Sequence, residues 1–428
     1  MKLKDRIKTS FSDANYFSEM ERRTVIYEQL YQASPKKAVI RILWWNFKEF
    51  FKKQIPAYGE PNNSTTYFDD RKVNVVFELT GGMGDRVIAA NYIAAFQARF
   101  GADTVNIDLV TREGNGDHAI FREGYIINRV FFGQNVPYQK LQEESDLWLK
   151  MERHIEIKHK NFARLSQLEP ALIDYVFEIE KYQAMYAPAF DKSGNTYDLR
   201  KTKIDMLLGK KRMQQADVNG FLRIDETPLY HLPMDESDAF LETLGLRTKQ
   251  FITVHRGSDV NLSKDNNKLW AHDNYVALIG LLKKNYPDIQ IVQLGVSKDR
   301  CDAMDGVDLN LVGKTTMEQV KLLLKHALVH VDGEGGMVHI RHMLSGGPSI
   351  VLFGPTPLDF YGYDENINIR GTGCPAWCEW SIFGWHQSCA KGLKQPDCMK
   401  NITPDCVFEA FQNFYEQRNC DERNKSCV

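Results

Sequence analysis

The sequence predicts an α/β protein made of two doubly wound halves, with a helical extension before them and a small cysteine module near the end. Two series in which short apolar strands alternate with helix-period segments, one starting at Val73 and one at Phe251, predict the halves. Four cysteines spaced C-x3-C-x10-C-x8-C, from Cys374 to Cys398, predict the module. At 428 residues and 43% hydrophobic, the chain can bury two cores, since a single core stops growing at about 250–300 residues.

Residues 1–72 read as a helical, somewhat basic extension that closes in the breaker-rich P-A-Y-G-E-P-N-N-S. Within it, Ile42–Lys53 (I-L-W-W-N-F-K-E-F-F-K-K) is aromatic on most sides. Large rings mostly serve burial, so this segment is expected to pack on the body or on a second copy and to make a homo-oligomer; the alternative is a membrane surface. Val73–Leu79 is a buried strand by its apolar run, followed by T-G-G-M-G-D and a helix carrying Val87, Ile88, Tyr92, Ile93 and Phe96. Thr104–Val110 is the next strand, which makes a parallel unit with a crossover. Residues 140–240 are charged, read as mostly helical, and elaborate the first half. In the second half F-I-T-V-H, I-Q-I-V-Q-L, A-L-V-H-V-D and P-S-I-V-L-F alternate with helices near 273–285, 316–326 and 337–345. Thr403 and Pro404 then open a last helix as N-cap and first helical residue. The expected divisions are 1–72 extension, 73–245 first Rossmann-like domain, 246–372 second Rossmann-like domain, 373–403 cysteine module, and 404–428 closing helix and polar tail.

Composition narrows the partners. A formal charge of −2 gives no reason to expect nucleic acid or another polyanion. The start, M-K-L-K-D-R-I-K-T-S-F-S-D, has no apolar stretch of a signal peptide, and no run of about 18 apolar residues predicts a membrane span. Seven of eight cysteines lie between Cys374 and Cys427, whereas a secreted disulfide scaffold is short and cysteine-dense throughout. A cytoplasmic enzyme is expected.

Several positions carry chemistry. Gly81–Asp85 (G-G-M-G-D) joins the first strand to a helix N-terminus, where Gly82 and Gly84 let backbone approach an anionic ligand; a tight turn with Asp85 as N-cap reads the residues equally well. G-K-T-T at Gly313–Thr316 lacks the earlier glycine of a phosphate loop and is expected to be a capping box of Thr315 and Glu318. Arg256 and Lys268 suit phosphate, though each alone is more often a solvated charge. Glu334 follows a strand's carboxyl end, before Gly335 and Gly336 and a helix, a place where an acidic residue holds ribose hydroxyls. His339, in the first turn of that helix, reads by itself as a packed or capping histidine. Cys374, Cys378, Cys389 and Cys398 suit one tetrahedral zinc or iron ion, structural because four thiolates leave no open position; two disulfides are the alternative.

Together G-G-M-G-D at 81–85, K-L-W at 268–270, L-V-G-K-T-T-M-E-Q at 311–319, E-G-G-M-V-H at 334–339 and F-G-P-T at 353–356 resemble glycosyltransferase family 9, the ADP-heptose heptosyltransferases, over roughly residues 73–415. With P-L-D-F-Y-G-Y and C-P-A-W-C-E-W…W-H-Q-S-C…C-M, the chain is most similar to the bacterial autotransporter heptosyltransferase branch, whose cysteine–tryptophan module holds iron. It differs in carrying Glu334 where most of the family has Asp, and C-x3-C where the branch is tighter. The resemblance implies a GT-B architecture and an inverting transfer from a nucleotide-diphosphate sugar without a catalytic divalent metal. It implies Asp85 as base for the acceptor hydroxyl, Lys268 on the donor diphosphate, and Glu334 to Met337 as the turn that receives the nucleotide sugar. Iron is the expected ion, with zinc as the alternative. The expected activity is transfer of a sugar, heptose from ADP-heptose, to an acceptor hydroxyl, with protein O-heptosylation of an autotransporter adhesin as one reading of the acceptor. The alternatives are a lipopolysaccharide-core or other glycan acceptor, and a non-catalytic protein that only binds sugar nucleotides.

Overall fold

The computed structural model describes residues 70–111, 116–124, 126–133, 136–186, 199–257, 266–296, 301–375, 377–379 and 385–426. The extension 1–69, with its aromatic segment Ile42–Lys53, lies outside the described residues, as does Cys427.

The first domain is a five-stranded sheet in the order β3-β2-β1-β4-β5. Its strands are β1 Val73–Leu79, β2 Val105–Thr111, β3 Arg129–Phe132, β4 Leu147–Met151 and β5 Ile155–Lys160. β1 runs parallel to β2 and to β4, with Val76 opposite Asp108 on one side and Trp148 on the other. The helix Met83–Phe100 returns the chain across the sheet and buries Val87, Ile88, Tyr92, Ile93 and Phe96, the set its periodicity marks. β4 and β5 place two strands in the stretch 140–240, which its sequence marks as mostly helical. Leu147, Trp148, Leu149 and Met151 form an apolar run too short to stand out in a charged segment, yet β4 takes the position beside β1. β5 turns back antiparallel and covers that edge.

The second domain is a six-stranded, all-parallel sheet in the order β11-β10-β9-β6-β7-β8. Its strands are β6 Phe251–His255, β7 Gln290–Leu294, β8 Leu309–Asn310, β9 Val329–Gly333, β10 Ser349–Phe353 and β11 Ile367–Arg370. The helices His272–Asn285, Met317–His326 and Gly336–Met343 occupy the predicted places. The capping box on the second of them sits one residue later than expected: Thr316 Oγ1 accepts from Gln319 N, and Gln319 returns a bond to Thr316 N at 3.0 Å. Glu318 is thereby free to pair with Lys321 at 2.7 Å.

The last helix, Pro404–Ser426, opens with Thr403 Oγ1 accepting from Cys406 N, and it runs on through the stretch whose composition suggests a tail. It lies against helix His272–Asn285 through Tyr286, whose ring stands 5.3 Å from Phe411 and 5.0 Å from Tyr415. No described helix is long and apolar enough to cross a membrane.

Candidate active site

Ligands of open parallel sheets bind outside the carboxyl ends of strands, where strand order reverses. In the first sheet that point is β1, flanked by β2 and β4; in the second it is between β9 and β6. The two points face each other. The N-terminus of helix Met83–Phe100 meets the N-terminus of helix Gly336–Met343 so closely that a Cβ on Gly84 would stand 2.8 Å from His339 Cδ2, and one on Gly336 would stand 3.4 Å from Gly84 N. At Gly84 this approach of two helix ends leaves no room for a side chain unless His339 shifts, whereas at Gly336 a Cβ would only just make contact.

On the first wall, Asp85 occupies the third residue of its helix, and Gly82, not Asp85, is the N-cap. The Asp85 carboxylate accepts from Gly82 N at 2.9 Å and from Arg212 Nη2 at 2.7 Å. Gly81, at φ +94°, leaves room for it: a Cβ there would lie 2.7 Å from Asp85 Oδ2. Burial alone would raise this carboxyl, but the charges of Arg212 and Arg153, with the Arg212 and Gly82 hydrogen bonds, hold it down at about 2. Arg212 is itself buried, donates also to Glu152 O at 3.2 Å, and leaves Nη1 unpartnered.

On the second wall, Lys268 Nζ donates to Glu334 Oε2 at 2.5 Å. Burial works against the ammonium, but Glu334 and then Glu379 raise it above the ordinary lysine value. Arg256, beyond the end of β6, donates from Nε to Trp270 O at 2.9 Å. Gly335 caps helix Gly336–Met343 in extended backbone, and Met337 is packed into the core. His339 is buried, its Nδ1 bonded to Tyr363 OH at 2.6 Å; burial holds it down at about 4, so it is neutral at pH 7.

The walls are tied together by groups that sequence reasoning passed over. Arg153, in the turn between β4 and β5, donates from Nη1 to Tyr361 OH at 3.0 Å, and that hydroxyl donates to Glu379 Oε1 at 3.1 Å. Burial pushes the Glu379 carboxyl up to about 8, against the pull of Arg153 and Lys268. Arg153 thus stands within electrostatic reach of Asp85 on one side and of Lys268 and Glu379 on the other. Missing β4 and β5 hid Arg153; the signal for Glu379 was a carboxyl inside the otherwise apolar C-E-W of the cysteine module.

The module is pinned to the second domain by Cys378 N and Glu379 N, which both donate to Pro355 O at 3.0 Å. None of the seven described cysteines is joined in a disulfide. Burial, followed by the neighbouring Cys374, Cys378 and Cys389, pushes the Cys398 thiol up to about 12. The four sulfurs therefore feel one another. Among the described residues, however, no group of three or more His, Cys, Asp or Glu side chains is drawn together tightly enough to hold an ion. As a donor set, four cysteine thiols suit a soft cation, which takes thiolates as ligands.

Two doubly wound domains with opposed helix ends and a charged cleft define a GT-B-like glycosyltransferase fold. Residues 240–401, which cover most of the second domain and the cysteine module, match the family model of glycosyltransferase family 9 (heptosyltransferase). The E. coli ADP-heptose lps heptosyltransferase II has the same fold at TM-score 0.51 and 15% identity, over 81% of this chain and 100% of that one. The iron-containing dodecameric glycosyltransferase TibC from enterotoxigenic E. coli H10407 matches at TM-score 0.52 and 12% identity, over 81% of this chain and 78% of that one. TibC in complex with ADP-D-beta-D-heptose matches equally, at TM-score 0.52 and 12% identity over the same shares. Comparison with the curated proteins gives no match.

Proposed function

We propose that the chain moves heptose from ADP-heptose to an acceptor hydroxyl with inversion at the anomeric carbon. The observation that carries this reading is the opposition of Asp85 and Lys268 across one cleft, with Arg153 in reach of both. In the proposed step the acceptor oxygen attacks the anomeric carbon while the bond to the diphosphate oxygen breaks. The acceptor's proton passes to Asp85, and the diphosphate departs with the bonding pair. Lys268 and the N–H groups opening helix Gly336–Met343 stabilise the departing charge, while the Glu334–Met337 turn, with Arg256 beside it, receives the nucleotide sugar.

At about 2 the donor-free Asp85 is ionised but a feeble base. A diphosphate that draws on the positive charge of Arg153 and Arg212 would raise its basicity when the acceptor's proton must be taken. Cys374, Cys378, Cys389 and Cys398 would hold one structural ion, iron or alternatively zinc, which cross-links the module; the reaction makes no use of it. The motifs shared with the autotransporter heptosyltransferase branch favour a hydroxyl on an adhesin as acceptor, in the cytoplasm, with the extension 1–72 assembling a homo-oligomer.

The test is incubation with ADP-heptose and an adhesin passenger domain, lipopolysaccharide core or free glycans, read by mass spectrometry. Heptose on the adhesin, abolished by Asp85→Asn, is the expected result. Transfer to lipopolysaccharide core alone would move the acceptor, and ADP-heptose binding without transfer to anything would make the chain a binding protein.

A further inference from the structure

Glu379 is 2% exposed, carried by the cysteine module, and uses only one of its two carboxyl oxygens. Oε1 accepts from Tyr361 OH, the middle of a chain that ends in Arg153 of the first domain. Oε2 is buried with no partner. A buried acceptor left unmade costs about 1–3 kcal/mol, so such an atom in a cleft points to a partner that arrives with a ligand. Lys268 and Glu334 lie within electrostatic reach of this carboxyl, which puts it beside the proposed diphosphate position.

We propose that Glu379 Oε2 exchanges a hydrogen bond with a hydroxyl of the donor's glycosyl group, so that the cysteine module contributes a sugar-contacting residue to the cleft. The inference rests on the donor-binding reading above and deepens it. The choice of sugar over diphosphate follows from hydrogen-bond chemistry: with or without its proton, a carboxyl oxygen can exchange a hydrogen bond with a sugar hydroxyl, whereas diphosphate oxygens only accept and already face Lys268 and the helix N–H groups in the reading above. Oε2 is covered here, and the Arg153–Tyr361 hydrogen bond, one step from Glu379 Oε1, joins the two domains. Parting of the walls to admit a donor uncovers it. The backbone bonds from Cys378 and Glu379 to Pro355 O hold the carboxyl at a fixed depth, so its reach matters.

Calorimetric titration of the full chain with ADP and, separately, with ADP-heptose tests this. Glu379→Ala should weaken ADP-heptose about tenfold, the value of one such bond, and leave ADP within twofold. Glu379→Asp, one methylene short, should lose most of the same discrimination, while Glu379→Gln, which keeps an acceptor oxygen, should retain it. Bound iron plus zinc, measured on each variant, should stay at the wild-type level. Should Glu379→Ala not fold, Glu379→Asp decides the question by the ratio of the two affinities. Equal losses for both probes would show a purely structural carboxyl and overturn the inference, as would no loss for either. Wild type that binds neither probe would instead remove the donor-site reading, and the inference with it.

Discussion

On the first domain's side of the cleft a carboxylate, Asp85, is surrounded by guanidinium groups; on the second domain's side an ammonium, Lys268, is surrounded by carboxyls. Each wall therefore neutralises its own functional charge while no donor is bound. The means differ. Asp85 is held by Arg212 and by the Gly82 N–H, whereas Lys268 has a single short ion pair to Glu334 and a more distant carboxyl, Glu379. In the proposed reaction an arriving diphosphate would suit the second wall at once, because it could replace Glu334 as the partner of Lys268. The first wall would respond only as the diphosphate competed for the arginines, which would tie the strength of the proposed base to occupancy of the donor site.

Among changes that leave the base in place, removing the cation of the second wall should have the largest effect. Lys268→Ala should lower kcat/KM by about 10²–10³, the cost of losing one preorganised contact to developing charge, as steady-state kinetics with ADP-heptose would show. Cys378→Ser acts on the same wall through the module that carries Glu379. It should release bound iron or zinc and cost about 3 kcal/mol, read by elemental analysis and thermal melting; wild type with no iron or zinc would count against a metal clip. On the first wall, Asp85→Asn should cost about 2 kcal/mol of stability at pH 7. The folded Asp85 carboxyl, at about 2, lies below its unfolded value of 3.8, so its contribution is present above 3.8 and is lost as pH falls through 2. The difference between wild type and variant should accordingly shrink over that window in acid-denaturation curves. Arg212→Ala should give the smallest change in rate but move the acidic limb of the pH–rate profile upward, since burial is then opposed only by Arg153 and the Gly82 N–H. An unmoved limb would separate Arg212 from the base.

The walls also differ in how far they can be read from sequence. Apolar runs such as Phe251–His255 and Ser349–Phe353 mark buried parallel strands directly, and E-G-G-M-V-H places the helix end that faces the cleft. The first wall draws on segments without such local marks. β4 has Lys150 within its apolar run, and β5, I-E-I-K-H-K, has polar residues at every second position, so both sink into a charged stretch. Arg153 and Arg212 reach Asp85 across about 70 and 130 residues of chain, a separation that only the folded sheet brings together. Asp85 itself was legible as a residue at a helix start, but its role as the third residue rather than the N-cap depends on backbone geometry at Gly82 that composition does not encode.

Single-turnover transfer from bound ADP-heptose to an accepting hydroxyl tests the opposition of Asp85 and Lys268 most directly. Wild type and Asp85→Asn should bind ADP-heptose with the same affinity, while the variant transfers at a rate about 10²–10⁴ lower, the usual worth of a positioned base. Equal transfer rates at equal occupancy would contradict the assignment of Asp85.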